Sequence, residues 1–291
     1  AAYLINLGID PANQVTVLGD LTLDKKSLVY GEWHLKGDLY VPDMSFGYAV
    51  DNTLSRIIMN GSSDQEYNFA GVEGMTAGLV VDKTSGNVLP GSGTTQAHFP
   101  YFTLQQGTFV APTGELKLGH QAQSTTNFNI LEVAAGTTFD HNGGTLAFQL
   151  QNAWVKNPQF IIDVPTSYTF NNLIARSDYH WRNTNAYPAR LYTAPGDTVY
   201  LLGDLYHESG NLHGSWQVEG DYTVGDANVD GGTASITFMG SGNQNYQELG
   251  GSVPSGDVIV SKTGGKVTQL SAADFSGAGQ TLDINDGDWD M

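Results

Sequence analysis

The sequence predicts an all-β fold, a right-handed parallel β-solenoid (a β-helix) with internal repeats. Three observations support it: short alternating strands broken by turn residues, a long internal repeat, and a shorter repeat of 17–18 residues within it. No stretch of a dozen residues has the apolar spacing of an amphipathic helix. A tandem β-sandwich is the alternative fold, and it would require antiparallel hairpins.

The composition argues against nucleic acid as a partner, against disulfide bonds and against membrane-spanning helices. Twelve Lys and Arg against 30 Asp and Glu give a formal charge of −18 over 291 residues. Binding to nucleic acid is not expected, because neutralising phosphates requires clustered cations. No disulfide can form, since the chain has no Cys. No run of 18 apolar residues is present, so insertion of a helix into a membrane is not expected either.

The strand pattern begins near residue 15 and continues along the chain. Alternating apolar and polar residues occur in many short segments bounded by Gly, Asn, Asp or Pro. Clear examples are residues 15–18, 33–36, 102–104, 116–118 and 236–238. Many short strands of this kind are typical of an all-β protein.

Two long segments of the chain resemble each other. Residues 31–41 (GEWHLKGDLYV) match residues 214–224 (GSWQVEGDYTV), and Lys83 with its neighbours matches Lys262. The second copy stops before the first copy does, so we expect the chain to be part of a longer protein. The predicted organisation is a single solenoid over 1–291, with a first copy at 15–110, a degenerate copy at 128–178, an insertion at 179–197 and a second, truncated copy at 198–291.

Each copy contains a shorter repeat around a Gly-Asp pair. Gly19-Asp20 returns as Gly37-Asp38 after 18 residues, and Gly203-Asp204 returns as Gly220-Asp221 after 17. This length suits one coil of a solenoid, in which successive coils stack about 4.8 Å apart. The Asp residues are expected at corners, each accepting a hydrogen bond from a backbone N–H two residues further on.

These elements resemble large bacterial extracellular repeat proteins, namely filamentous-haemagglutinin-like adhesins and autotransporter passengers. The resemblance lies in Trp33 with Gly37-Asp38, in the segment 60–65, and in residues 79–88. It covers residues 15–90 and 198–291, with a weaker match over 128–178. It implies a secreted or cell-surface structural or adhesive module of a fibre or surface protein. Its partners would be adjoining repeats or other copies of itself.

The alternative function is polysaccharide binding or degradation by a lyase, hydrolase or tailspike-like β-helix protein. Polygalacturonase-like enzymes carry Asp-Asp, Gly-His-Gly and Arg-x-Lys signatures, and the sequence contains none of them. Enzymatic activity is therefore the less favoured interpretation, and no catalytic residue is assigned.

A candidate carbohydrate site lies in the aperiodic insertion. Tyr179, Trp181, Arg182 and Tyr187 lie there without a core pattern, and loops on a rigid scaffold commonly carry binding residues. The alternative is a polar loop that packs across one face. Trp33 and Trp216, at matching positions of the two copies, could stack on sugar rings, but packing inside the coil is favoured.

A candidate calcium site lies at residues 226–231 (DANVDG). Asp226, Asn228 and Asp230 have the alternating spacing of the first half of a calcium loop. The twelfth position is Thr237 rather than the bidentate Glu of such loops. A polar corner loop is the favoured interpretation, with weak calcium binding as the alternative.

Overall fold

A computed structural model describes residues 5–8, 14–23, 27–42, 49–50, 55–70, 75–122, 127–152, 159–179, 189–225, 228–273 and 275–291. By contacts between Cα atoms the chain forms two compact units. Unit 1 comprises Ala1–Gln123 and Asn129–Gly144; unit 2 comprises Ser124–Phe128 and Thr145–Met291. Strands, turns and irregular segments make up the described residues, and these contain no helix. The predicted all-β class is thus confirmed.

Fifteen strands lie in unit 1 among its described residues, except that the first residue of β14, Phe128, belongs to unit 2. They are β1 (Ile5–Gly8), β2 (Gln14–Val17), β3 (Leu21–Thr22), β4 (Ser27–Tyr30), β5 (Glu32–Leu35), β6 (Leu39–Val41), β7 (Ala49–Val50), β8 (Arg56–Met59), β9 (Gln65–Phe69), β10 (Gly78–Pro90), β11 (Gln96–Phe99), β12 (Phe102–Val110), β13 (Glu115–Ala122), β14 (Phe128–Val133) and β15 (Thr138–Asp140). One parallel row runs β2–β5–β8–β10–β12–β14 and a second runs β3–β6–β9–β10.

Unit 2 contains the other fifteen described strands. They are β16 (Thr145–Asn152), β17 (Gln159–Asp163), β18 (Ser167–Phe170), β19 (Asn172–Tyr179), β20 (Arg190–Thr193), β21 (Thr198–Leu201), β22 (Leu205–His207), β23 (Gly210–His213), β24 (Ser215–Val218), β25 (Tyr222–Val224), β26 (Val229–Gly232), β27 (Ser235–Phe238), β28 (Gln244–Glu248), β29 (Val258–Gln269) and β30 (Leu282–Asp290).

Strand pairing in unit 2 follows a simple rule. From β17 to β25, each strand pairs in parallel with the third strand after it, which gives the rows β17–β20–β23–β26, β18–β21–β24–β27 and β19–β22–β25–β28. The long strand β29 then pairs with both β27 and β28, and β30 pairs with β29. Arg190–Thr193 lies within the predicted insertion, yet it forms β20 and is paired on both sides.

The predicted short repeat agrees with the register at two places. Val15 pairs with Trp33, 18 residues later, and Leu205 pairs with Tyr222, 17 residues later. Other steps are longer, such as the 24 residues from Val258 to its partner Leu282. The pairs between described strands are parallel, so the antiparallel hairpins required by a tandem β-sandwich are not found in this part of the chain.

The core consists of apolar side chains stacked in register. In unit 1, Ile57, Leu79 and Phe102 are consecutive partners and fully buried. In unit 2, Trp216 lies in a buried row and its indole N–H donates to His213 O at 3.0 Å. The equivalent Trp33 is half-buried and donates to Tyr30 O at 2.9 Å. The favoured prediction of interior packing is confirmed for Trp216.

The corner Asp residues hydrogen-bond to the next rung, meaning the next strand in the same parallel row. Asp20 Oδ1 accepts from the Asp38 N–H at 2.9 Å, and Asp204 Oδ1 accepts from the Asp221 N–H at 2.8 Å. Asn172 Oδ1 does the same for the Asp204 N–H. The prediction of a bond two residues further on is therefore wrong here, because each Asp side chain bonds to an N–H of the stacked rung instead.

We call these hydrogen bonds between rungs the Asp ladder. It predicts different effects for two substitutions of Asp204. Asp204→Ala removes the acceptor for the Asp221 N–H and should lower the free energy of unfolding by about 1 kcal/mol. Asp204→Asn should change it by less than about 0.5 kcal/mol, because Asn172 shows that an amide oxygen can fill the same role. Urea unfolding of both variants tests this, and equal losses would contradict it.

Buried lysines form a second inter-rung contact, at matching positions of the two units. Lys83 and Lys262 are each 1% exposed, and each ammonium donates to a buried glutamine, Gln65 and Gln244 respectively. Each glutamine in turn donates its Nε2 to two backbone carbonyls of the preceding rung. Burial lowers the pKa of both lysines. We call each pair a Lys–Gln clamp.

Glycine is required where the chain turns above each clamp. Gly86 has φ +69° and Gly265 has φ +66°, a conformation that L side chains rarely adopt. A Cβ atom on either would lie 2.5 Å from backbone atoms of the rung below.

Candidate ligand-binding face

The predicted carbohydrate residues fall mostly outside the described part of the chain. Tyr179 is the last residue of β19, and its backbone pairs with Asn152 of β16. Trp181, Arg182 and Tyr187 lie outside the described residues. The insertion therefore stays a prediction as a binding site, and of its C-terminal part strand β20 is described.

The predicted calcium loop is described only in part. Asp226 lies outside the described residues, while Asn228 lies in a turn and Asp230 is exposed on β26. The backbone carbonyl of Asn228 accepts from the Gly210 N–H at 3.0 Å, and that of Asp230 accepts from Asn211 Nδ2 at 2.7 Å. In the described ranges no group of three or more His, Cys, Asp or Glu is placed to hold a metal ion.

The structure brings parts of these two predicted sites together. Strand β20 lies in the C-terminal part of the insertion and β26 contains the last residues of the calcium loop, with β23 paired between them. Arg190 of β20 pairs with Asn211 of β23, which contacts Asp230 of β26. No local sequence pattern indicates this arrangement, because the register joins residues about 20 positions apart.

Alternation along β20 and β23 places polar groups outward. Leu191 and Leu212 are buried in the core, so their neighbours project from the opposite face of the row. We define the Arg190 face as Arg190, Tyr192, Asn211, His213 and Asp230.

Tyr192 and His213 stack on this face. Their rings lie 4.1 Å apart and 4° from parallel, and His213 is 9% exposed. The Thr233 backbone N–H donates to His213 Nδ1 at 3.2 Å, so Nδ1 is the acceptor and the neutral ring carries its proton on Nε2. Burial, with the Arg190 charge, lowers the His213 pKa to about 4, which keeps the ring neutral near pH 7.

Three buried polar atoms of the Arg190 face have no hydrogen-bond partner in the described structure: Arg190 Nε, Asn211 Oδ1 and His213 Nε2. An unsatisfied buried group costs about 1–3 kcal/mol, and such groups are rare in folded proteins. Each of these atoms has almost no solvent-accessible surface, so they mark strain inside the face rather than an open contact.

Arg190 also differs from the other outward-facing arginines of the described residues. Arg56 pairs with Glu32 and Arg176 pairs with Glu208, whereas Arg190 has no ion pair within the described ranges. In a chain with a net charge of −18, a guanidinium without an ion pair in the described ranges is a distinctive feature.

A groove lined by four hydroxyl-bearing residues, by Asp197 and by small residues adjoins the face. It has a volume of about 410 Å³ and begins at Thr193, directly after Tyr192. Thr198, Ser215 and Ser235, which are register partners on β21, β24 and β27, line it along the stacking direction. Hydroxyls repeated from rung to rung suit a ligand with repeating polar groups.

Comparison with models of known protein families, with characterised proteins and with solved structures gives no significant match. No helix long and apolar enough to cross a membrane occurs in the described part of the chain.

Proposed function

We propose that the chain is a right-handed parallel β-helix that acts as a structural or adhesive module of a bacterial secreted or cell-surface protein. The pairing of every strand with the third strand after it, from β17 to β25, carries this proposal. Three strands per coil is the arrangement of a β-helix with three sheets, and parallel crossovers are right-handed in nearly all proteins.

The inter-rung contacts support a scaffold role. The Asp ladder and the Lys–Gln clamps occur at matching positions in both units, and each contact joins one rung to the next. Proteins of stacked repeats gain stability mainly from such nearest-neighbour contacts. Adjoining repeats or other copies of the chain are the partners that this role implies.

Polysaccharide binding is a second candidate function, favoured by the Arg190 face. The groove beside it is lined in part by Thr193, Thr198, Ser215 and Ser235, whose hydroxyl groups suit the many hydroxyls of a sugar chain. Degradation is the rival to binding, because the exposed carboxylate of Asp230 belongs to the same face.

A glycan array followed by a reducing-end assay on every hit tests this second candidate. We expect binding of at least one polysaccharide without release of new reducing ends. The hydroxyl groove supplies the matched variants: Ser215→Val should weaken binding, whereas Ser62→Val, an exposed serine of unit 1, should not. New reducing ends would establish an enzyme, and an array without hits would refute polysaccharide binding.

A further inference from the structure

The hydroxyl groove is lined by one charged side chain, the carboxylate of Asp197. Its Oδ2 accepts from the Val164 N–H at 3.1 Å, whereas Oδ1 is solvent-accessible and has no hydrogen-bond partner in the described structure. This second oxygen is therefore open to a ligand. Among the described residues that line the groove, none is Lys, Arg or His, so a ligand meets a negative charge there.

A tight turn holds this carboxylate in place. The Asp197 N–H donates to Ala194 O at 3.0 Å, and the two residues between them are Pro195 and Gly196, the latter with φ +92°. Proline followed by a residue of positive φ is the pattern of a type II turn. A ligand thus meets a carboxylate that is already in position, which limits the entropy lost on binding.

A matching turn in unit 1 shows that a turn of this kind closes without a carboxylate. The Thr137 N–H donates to Ala134 O at 3.3 Å, and Gly136 has φ +80°. A β-strand, Thr138–Asp140, follows this turn as β21 follows the other. Threonine therefore takes the place of Asp197, and the charge of Asp197 is not needed to close its own turn.

Three hydroxyl groups continue from Asp197 along the stacking direction. Thr198, Ser215 and Ser235 are register partners on successive rungs, which lie about 4.8 Å apart. Thr198 Oγ1 donates to Ser215 Oγ at 3.3 Å, so the Ser215 hydroxyl proton is available to a ligand. The Ser235 hydroxyl has no hydrogen-bond partner within the described ranges. A ligand that spans the groove therefore meets one carboxylate and then hydroxyl groups at a regular interval.

We propose that the hydroxyl groove binds a cationic amino sugar, with Asp197 Oδ1 accepting from its ammonium group and the Ser215 and Ser235 hydroxyls bonding to its ring hydroxyls. This inference rests on the polysaccharide-binding function proposed above. A hydrogen bond from an ammonium to a carboxylate is about twice as strong as one between neutral groups. The net charge of −18 attracts such a ligand at long range, whereas it repels an acidic sugar.

Titration calorimetry with a glucosamine tetramer and its N-acetylated form, at about 0.15 M salt to screen long-range attraction, tests the proposal. We expect the amine form to bind about tenfold more tightly, because acetylation removes the charge that pairs with Asp197. Asp197→Asn should lower the affinity for the amine form to that for the acetylated form. Its amide oxygen can still accept from the Val164 N–H, so the fold should be kept. The matched control Asp286→Asn, which removes an exposed carboxylate of β30, should leave binding unchanged.

Spermine, a polyamine without hydroxyl groups, separates recognition of a sugar from attraction of any cation to an acidic protein. Ser215→Val should weaken binding of the glucosamine tetramer and leave binding of spermine unchanged. If the wild-type protein binds spermine as tightly as the tetramer, the assignment to an amino sugar is overturned.

A second measurement covers variants that fail to fold. In the wild-type protein, the carboxyl carbon-13 NMR signal of Asp197 should shift with the amine form and not with the acetylated form. Equal affinity for the two forms, or an unaffected Asp197→Asn variant, would overturn the amino-sugar assignment while leaving polysaccharide binding intact. Binding of neutral glycans on the array, without binding of the glucosamine tetramer, would also overturn it. Absence of all glycan binding would refute both proposals.

Discussion

The Gln65→Leu variant is expected to lose about 3 kcal/mol of unfolding free energy. Gln65 Oε1 accepts from the Lys83 ammonium at 2.9 Å and from the Gly61 N–H at 2.7 Å. Its Nε2 donates to the carbonyls of Leu35 and Gly37. Leucine would fill the space and leave these groups unpaired inside the core, and it would remove one of three acceptors from a buried cation.

The remaining contacts of Lys83 explain why the loss is large. Its ammonium also donates to Gly61 O at 2.8 Å and to Ser63 O at 2.7 Å, and no carboxylate hydrogen-bonds to it in the described structure. A buried charge is tolerated only while its hydrogen bonds are complete. Lys83→Met added to Gln65→Leu should therefore cost less than the sum of the two single changes.

Urea unfolding followed by tryptophan fluorescence measures these differences. The matched variant in unit 2, Gln244→Leu, should lose a similar amount, because Gln244 makes the corresponding contacts with Lys262. The exposed Gln106→Leu is the control and should change stability by less than about 0.5 kcal/mol. A Gln65→Leu variant within about 1 kcal/mol of wild type would show that the clamp is not a stabilising contact.

Local patterns predicted the strands, and periodicity predicted how some of them pair. The alternation around Val15 and Trp33 and the spacing of Gly-Asp pairs were enough to predict parallel stacking with an 18-residue step. The buried state of Lys83 could not be predicted, because a lysine between polar neighbours is ordinarily exposed. Its burial depends on Gln65, which the register brings beside it from the preceding rung.

The candidate site is likewise only partly predictable from local sequence. Local composition pointed to Trp181 and Asp226, which both lie outside the described residues. Arg190 and His213 themselves carry no local signal, because an arginine or histidine alternating with leucine is typical of any half-buried strand. Only the pairing of β20 with β23 places them on one surface and leaves their donors without partners.

Acidification from about pH 7 to about pH 4.5 is expected to destabilise the protein through its buried histidines. His207 is fully buried, donates Nε2–H to Gly210 O at 3.0 Å and has a pKa lowered to about 4 by burial. His98 has a pKa lowered to about 3, by burial and the Lys117 charge. In the unfolded chain both would titrate near about pH 6.5.

The sign of the effect follows from proton uptake. Between about pH 6.5 and the lowered pKa, the unfolded chain binds a proton at His207 and the folded chain does not, so stability falls as the pH falls. The full shift of His207 corresponds to about 3 kcal/mol, all of it lost below about pH 4. The buried His98 adds to the loss over the same range.

Urea unfolding at intervals from about pH 4.5 to about pH 7.5 measures this slope, and His207→Leu should make it shallower, because His98 and His213 keep their lowered pKa values. Leucine suits the position because the register partners of His207 are Ala175 and Val224. Val224→Ala is the matched control: it makes a cavity on the next rung and should lower stability by a similar amount at every pH, leaving the slope unchanged. If His207→Leu keeps the wild-type slope, protonation of this histidine does not drive the acid sensitivity.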